Sequence, residues 1–188
     1  MAALPQFHTN RLLLRPPVLA DTPSYQRHFA DYEVIRQLAA HVPWPYPEDG
    51  AADYLQNIIA PKQGQDYWAW VICLKEDTAT VIGAIDLWRM GKPENRGFWL
   101  GREFWGRGIM TEAVMPVTDH AFDDLGFEEL ILSNALGNHR SRQVKEKTGA
   151  RLLRVEPAAF VDPAYREHEI WQLTKSDWKK WRRDNADT

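Results

Sequence analysis

The residues with the most chemical content form the run Phe98-Trp99-Leu100-Gly101-Arg102-Glu103-Phe104-Trp105-Gly106-Arg107-Gly108-Ile109-Met110-Thr111-Glu112-Ala113. A strand ends, a glycine-rich turn follows and a helix begins. The start of a helix offers backbone N–H groups without partners and a partial positive charge, which suits an anion such as a phosphate. Gly106 and Gly108 let the backbone approach it closely. Two common phosphate loops do not fit. A Walker A loop needs Lys and then Ser or Thr where Arg107 and Gly108 stand, and a dinucleotide fingerprint needs Gly at Thr111. A tight turn without a ligand is the competing reading of the same residues.

Other chemistry is sparse. Cys73 lies in an apolar stretch and reads as inert packing rather than a nucleophile. No G-x-S-x-G elbow is present. The six His (8, 28, 41, 120, 139, 168) form no H-E-x-x-H or comparable pair, so no metal is expected. Twenty-three Lys and Arg against 26 Asp and Glu give a net charge of -3, with no global basic field for nucleic acid, although Lys175 to Arg183 is locally basic. A single cysteine excludes an intrachain disulfide and a cysteine zinc cluster. The start MAALPQFHTNR lacks an apolar core, and no run approaches the ~20 apolar residues of a membrane span. A cytoplasmic protein of one domain, residues 1–188, is expected, with no membrane partner. The nine Trp read mostly as packing, with one or two near a pocket.

The elements that must position the glycine turn follow from patterning. Arg11 to Arg15 reads as a short strand ended by Pro16-Pro17. Asp21 is placed to cap a helix through Phe29, and Tyr32 to Leu38 reads as a second helical piece. Three prolines keep His41 to Pro47 extended, and Glu48 to Ile59 reads as a helix. Tyr67–Leu74, Val81–Trp88 and Gly97–Leu100 are strands joined by turns at Lys75–Asp77 and Met90–Asn95, an antiparallel meander. Ile109, Ala113, Val117 and Ala121 make an apolar stripe on a helix from Gly108 to about Leu125, where Pro116 predicts a bend and Gly126 a stop. Leu130–Leu132, Leu152–Val155 and Glu169–Leu173 read as strands, Ser141–Thr148 as a short helix, and Trp178 and Trp181 as the docking face of a last helix. The class is a mixed α/β (α+β) domain rather than a strict βαβ alternation.

Across nearly its whole length the chain resembles the GNAT superfamily of N-acetyltransferases, and within it the ribosomal-protein N-terminal acetyltransferases of RimJ/RimL type. The resemblance is carried by Thr9-x-Arg11-Leu12-x-Leu14-Arg15, Pro45-Tyr46-Pro47, Val81-Ile82-Gly83, Asn138-x-x-Ser141, Lys147-x-Gly149 and His168 to Trp178. Its most specific block is Phe104-Trp105-Gly106-Arg107-Gly108-x-x-Thr111-Glu112-Ala113. Met110, where Gly or Ala is usual, and Pro116 inside the helix depart from the pattern.

The resemblance implies one GNAT-like domain with a largely antiparallel sheet, a splayed strand pair and flanking helices. It implies acetyl-CoA as co-substrate and a primary amine as acceptor: a protein N-terminus, a polyamine, an amino acid or an aminoglycoside. Trp99, Leu100 and Gly101 would hold the pantetheine arm and the thioester carbonyl. Gly106, Arg107, Gly108, Ile109, Met110 and Thr111 would hold the pyrophosphate, and Asn138 would bond the arm. A neutral amine attacks the thioester directly, so the enzyme needs a proton acceptor, an oxyanion partner and a proton donor to the thiolate. Relatives carry a Tyr donor on the helix after the Asn; here that helix has Lys145 and no Tyr, which leaves Ser141 as the candidate donor, compatible with a capping role. Glu103 is the candidate base by its nearness to the site, ahead of Glu94, Asp86, Glu167 and His168, with an ordered water as the alternative. The chain is expected as a monomer or homodimer. A non-catalytic acyl-CoA-binding sensor is the alternative function, and an RNA-binding module is disfavoured by the acidic charge.

Overall fold

The computed structural model describes residues 4–89 and 93–185. Eight strands form one sheet in the order β1-β2-β3-β4-β5-β6-β8-β7. They are β1 (Phe7–His8), β2 (Leu12–Arg15), β3 (Tyr67–Leu74), β4 (Gly83–Trp88), β5 (Arg96–Leu100), β6 (Glu129–Ala135), β7 (Arg151–Pro157) and β8 (Glu167–Thr174). The helices are α1 (Thr22–Phe29), α2 (Tyr32–Ile35), α3 (Gly50–Asp53), α4 (Ile109–Asp123), α5 (His139–Lys147) and α6 (Lys175–Asp184). All strand pairs are antiparallel except β5 and β6, which run parallel and meet at Arg96↔Leu132.

The alternation of side chains along the strands divides the core in two. Trp70 and Ile72 of β3 join Ile85, Leu100, Val114, Val117, Phe122 and Trp171 under α4. Their neighbours Ala69, Val71 and Cys73 join Ala84, Trp99, Tyr25, Phe29, Leu55 and Ile59 under α1 and α3. On the first face α6 docks beside α4: the Trp178 indole donates to Asp119 at 2.8 Å and stacks on Trp181 with centroids 5.1 Å apart. The basic residues of α6 serve the same contact, since Arg182 and Lys179 pair with Asp119 and Asp123 of α4.

The meander β3-β4-β5 is as the patterning predicts, and three local expectations are corrected. Asp21 does not cap α1; it is buried, accepts the Val18 N–H at 2.8 Å and pairs with Arg15 at 2.6 Å, so its carboxylate is used before the helix begins. The helix expected over 48–59 starts at Gly50 and widens into π-helical turns at Tyr54–Ile59. The helical piece from Tyr32 ends at Ile35. The strands are longer than their apolar runs, β6 reaching Ala135 and β8 Glu167–Thr174, because backbone pairing continues where side chains turn polar. α4 is continuous through Pro116. Met90, Gly91 and Lys92 of the expected turn lie outside the described residues.

Gly83 fixes the spacing of β4 against β5: a Cβ there would stand 2.6 Å from the Trp99 carbonyl oxygen. No other residue permits that approach.

Candidate active site

The glycine turn leaves β5 through a 3-10 turn, Arg102–Phe104, and enters α4 at Gly108. Gly106 and Gly108 have φ of 74° and 72°, the left-handed region that costs other residues about 1–2 kcal/mol. This double reversal turns successive amides of the loop and first helical turn to one side. Glu112 is the first to find an acceptor, donating to Gly108 O at 3.0 Å. Among the described residues, no acceptor takes the N–H groups of Arg107, Gly108, Ile109, Met110 or Thr111. Ile109 and Met110 are buried, so these are the donors an anion would satisfy.

The loop is held from outside. The Arg11 guanidinium donates to Arg107 O at 2.8 Å and pairs with Glu112 at 2.7 Å, while Thr9 and the Arg11 N–H donate to the second Glu112 oxygen at 2.6 and 2.8 Å. Burial pushes the Glu112 carboxyl up, but the bonds from Thr9 and Arg11 outweigh it and hold the group below the usual carboxylate range. Trp105 closes the other side: its indole donates to Leu100 O at 2.7 Å, and Arg140 lies 3.8 Å above its ring.

Beside the loop the sheet is parted. β5 and β6 touch at Arg96↔Leu132 and diverge toward Leu100 and Ala135. Gly101 N–H donates to Ile82 O at 2.8 Å, so in antiparallel alternation the backbone groups of Trp99 and Gly101 face β4. Those of Phe98 and Leu100 therefore face the gap. Of the three residues expected along the arm, Leu100 offers its N–H there; Phe98, which the sequence reading passed over, offers both groups. Counting the two-residue alternation from Gly83 finds it.

Across the gap, Asn138 caps α5: its Oδ1 accepts the Ser141 N–H at 3.2 Å, leaving the Nδ2 donors without a partner among the described residues. The cap of this helix is thus Asn138 and not Ser141. Ser141 Oγ accepts from Lys145 Nζ at 2.8 Å. Lys145 is 1% exposed; burial pushes its ammonium well below the usual lysine range, Arg96 pushes the same way and Glu169 opposes them.

The carboxylates separate by face. Glu103 is exposed on the 3-10 turn, 3.5 Å from His28, and lines an open depression of about 500 Å³ with Arg27, Asp31 and Arg102. Asp86 is engaged by Tyr67 at 2.8 Å and Tyr54 at 3.3 Å. Glu94, Glu156 and His168 meet on the sheet face away from α4 and α5, with His168 Nε2 3.2 Å from Glu156, His168 Nδ1 4.0 Å from Glu94, and Ser133 donating to Glu94 at 3.4 Å. Glu167 is exposed at the start of β8. Cys73 is fully buried and its thiol is pushed up to about 11. No metal-ligating group of three residues occurs among the described residues, and none of their helices is long and apolar enough to cross a membrane.

Free amides at the start of α4 stand beside the parted strand pair, a place where a phosphate-bearing ligand would find donors. Comparison with known proteins agrees. The Acetyltransferase (GNAT) domain family matches residues 11–151, and the chain belongs to that family. Among curated proteins it is 26% identical over 100 residues to "Putative ribosomal N-acetyltransferase YdaF" of Bacillus subtilis (strain 168), a match spanning 53% of this chain and about half, 55%, of that relative. Among solved structures, the acetyltransferase from Agrobacterium tumefaciens str. C58 superposes with a TM-score of 0.71 at 25% identity, covering 93% of this chain and 97% of that one. Mycobacterium smegmatis RimJ in complex with CoA-disulfide has the same fold, with a TM-score of 0.79 at 17% identity over 96% and 94% of the two chains.

Proposed function

We propose that this enzyme moves an acetyl group from acetyl-CoA to a primary amine by direct attack in a ternary complex, and that the acceptor is the N-terminal amine of a protein. The observation that carries the reading is the row of unsatisfied amides from Arg107 to Thr111 at the mouth of the β5–β6 gap. The pyrophosphate lies on those amides, with Gly106 permitting the approach and Arg107 adding charge. The pantetheine arm runs into the gap along Phe98 and Leu100, with Asn138 Nδ2 as a donor from the far side. The thioester then lies near Phe98, beside Ser141. A protein acceptor accords with the name of the Bacillus relative, which refers to the ribosome.

The amine approaches from the opposite face, where Glu94, Glu156 and His168 stand together. For the base we favour water held by this cluster over Glu103, whose carboxylate sits beside the loop that receives a diphosphate and would be repelled by it. Ser141 delivers the proton to the departing thiolate.

The test is an acceptor screen with acetyl-CoA, read by the mass of the acetylated product, over peptides with free α-amines, polyamines, amino acids and aminoglycosides. Acetylation of peptide α-amines above the small amines supports the reading. Tight binding of acetyl-CoA with no accelerated thiol release from any acceptor overturns it in favour of a non-catalytic sensor.

A further inference from the structure

One side of the gap carries more positive charge than any surface feature explains. Arg96 of β5 is 5% exposed, and its side chain donates from Nη1 to Thr118 of α4 at 3.2 Å, while its Nε and Nη2 have no hydrogen-bond partner among the described residues. Lys145 of α5 is the other buried cation. Both approach the ring of Phe98, at 5.8 and 5.4 Å from its centroid. Glu169 is the nearby carboxylate, and its oxygens are already used by Arg142 at 2.7 Å and Asn134 at 2.9 Å. Beside a committed carboxylate, desolvation loosens the Lys145 proton and leaves the Arg96 charge short of a counter-ion, so an anion formed there would be stabilised.

The geometry points to Lys145 as a positioning residue that holds Ser141 as hydrogen-bond donor to the coenzyme sulfur, within a pocket that Arg96 keeps positive, so that together they stabilise and protonate the leaving thiolate. This rests on the transferase reading above and adds to it the source of the proton. In its protonated form Lys145 has donors and no acceptor, so it occupies a lone pair of Ser141 Oγ and leaves the hydroxyl hydrogen free to point elsewhere. Ser141 is half-buried at the first turn of α5, whereas Lys145 behind it is closed to solvent. Only Ser141 therefore meets the sulfur. As the amine nitrogen bonds to the acyl carbon, the C–S bond breaks and its electron pair goes to sulfur. Sulfur takes the Ser141 proton, Ser141 takes one from Lys145, the proton given up by the attacking amine leaves to water, and Lys145 regains a proton from water by way of the half-buried Ser141 hydroxyl. Burial favours this direction, because it makes the ammonium a readier proton donor.

The test uses the complex of the full chain with coenzyme A and needs no acceptor. The bound thiol is titrated by the ultraviolet absorbance of its thiolate, with affinity for coenzyme A measured in parallel. In the unmodified protein the bound thiol titrates lower than free coenzyme A by about one pH unit or more, the effect of one hydrogen bond to a charged group. Lys145→Met and Ser141→Ala each return most of that shift and keep affinity within about threefold, and the double substitution returns no more than either alone. Lys145→Gln, which keeps a donor without the charge, gives a second reading should Lys145→Met fail to fold. An unshifted thiol in the unmodified complex overturns the inference, as do additive effects of the two substitutions. Absence of coenzyme A binding would instead sink the transferase reading itself, and this inference with it.

Discussion

Arg11 and Glu112, 101 residues apart in sequence, are joined by two hydrogen bonds, one from the backbone and one from the side chain of Arg11. The same guanidinium reaches back to the carbonyl of Arg107. The turn between β1 and β2 is thereby fastened to both ends of the glycine loop, and Thr9 adds a third donor to the Glu112 carboxylate.

Glu112→Gln breaks this fastening and leaves Thr9 and Arg11 partly unpaired. The expected cost is about 1–3 kcal/mol of stability in urea unfolding at neutral pH, with weaker binding of coenzyme A. The folded carboxyl titrates below its unfolded value, so its contribution is present above about pH 4.3 and fades as pH falls through the folded value. The stability gap between the two proteins should therefore close on acidification below about pH 4. A gap that is constant down to pH 2.5 would exclude the ionised carboxylate as its cause.

Gly108→Val tests the amide row. The space for a Cβ is adequate, the nearest atom being Arg11 Nη2 at 3.6 Å, so the folding cost comes from φ and should be about 1–2 kcal/mol. Affinity for acetyl-CoA should fall by at least about tenfold, because tilted amides lose bonds to a charged group. Calorimetric titration beside a thermal melt separates the two. Equal losses of stability and affinity would favour a ligand-free turn.

Gly83→Ala should be harmful without touching any ligand. Its methyl group meets a backbone oxygen of Trp99, so β4 and β5 must separate, at a cost of about 1–3 kcal/mol. Acetyl-CoA binding should weaken as well, since the same strand carries Phe98 and Leu100 along the gap. A melting temperature equal to that of the unmodified protein would refute this close approach.

Cys73 should be unreactive in the folded protein. Its thiol is buried and titrates near 11, so N-ethylmaleimide at pH 7.5 should label it only at the rate of unfolding. Cys73→Ala should leave acetyl transfer within about twofold, whereas a nucleophile would cost several orders of magnitude. Rapid native labelling, or loss of turnover, would reverse this assignment.

The legible part of the molecule was local. Strand and helix periodicity located the meander and α4, and the spacing of Gly106 and Gly108 located the turn whose amides are left without acceptors among the described residues. The ligand-facing side of β5 is not a property of its composition; it depends on Gly83 fixing the register with β4, which directs Phe98 rather than Trp99 into the gap. The partnership of Thr9, Arg11 and Glu112 was visible only as separate motifs, because nothing in a sequence brings residues 9 and 112 together. Asp21 misled for a related reason: a good capping residue was claimed by the nearer and stronger charge of Arg15. The sequence shows Lys145 on a helix that lacks Tyr but not its burial, since its isolation from water is created by β5 and β8, elements far away in the chain.

The parted sheet has a mechanical consequence. Five strands on one side of the opening and three on the other are joined at one end, by the parallel pair Arg96↔Leu132 and by two hydrogen bonds between Asn95 and Ile131 at 2.8 Å. On the proposed function, a coenzyme lying in that seam would act as a keystone, bridging two half-sheets that otherwise meet at one end. Occupancy should therefore protect amides of β5 and β6 from solvent exchange well beyond the atoms it touches, and emptying the seam should loosen both banks together.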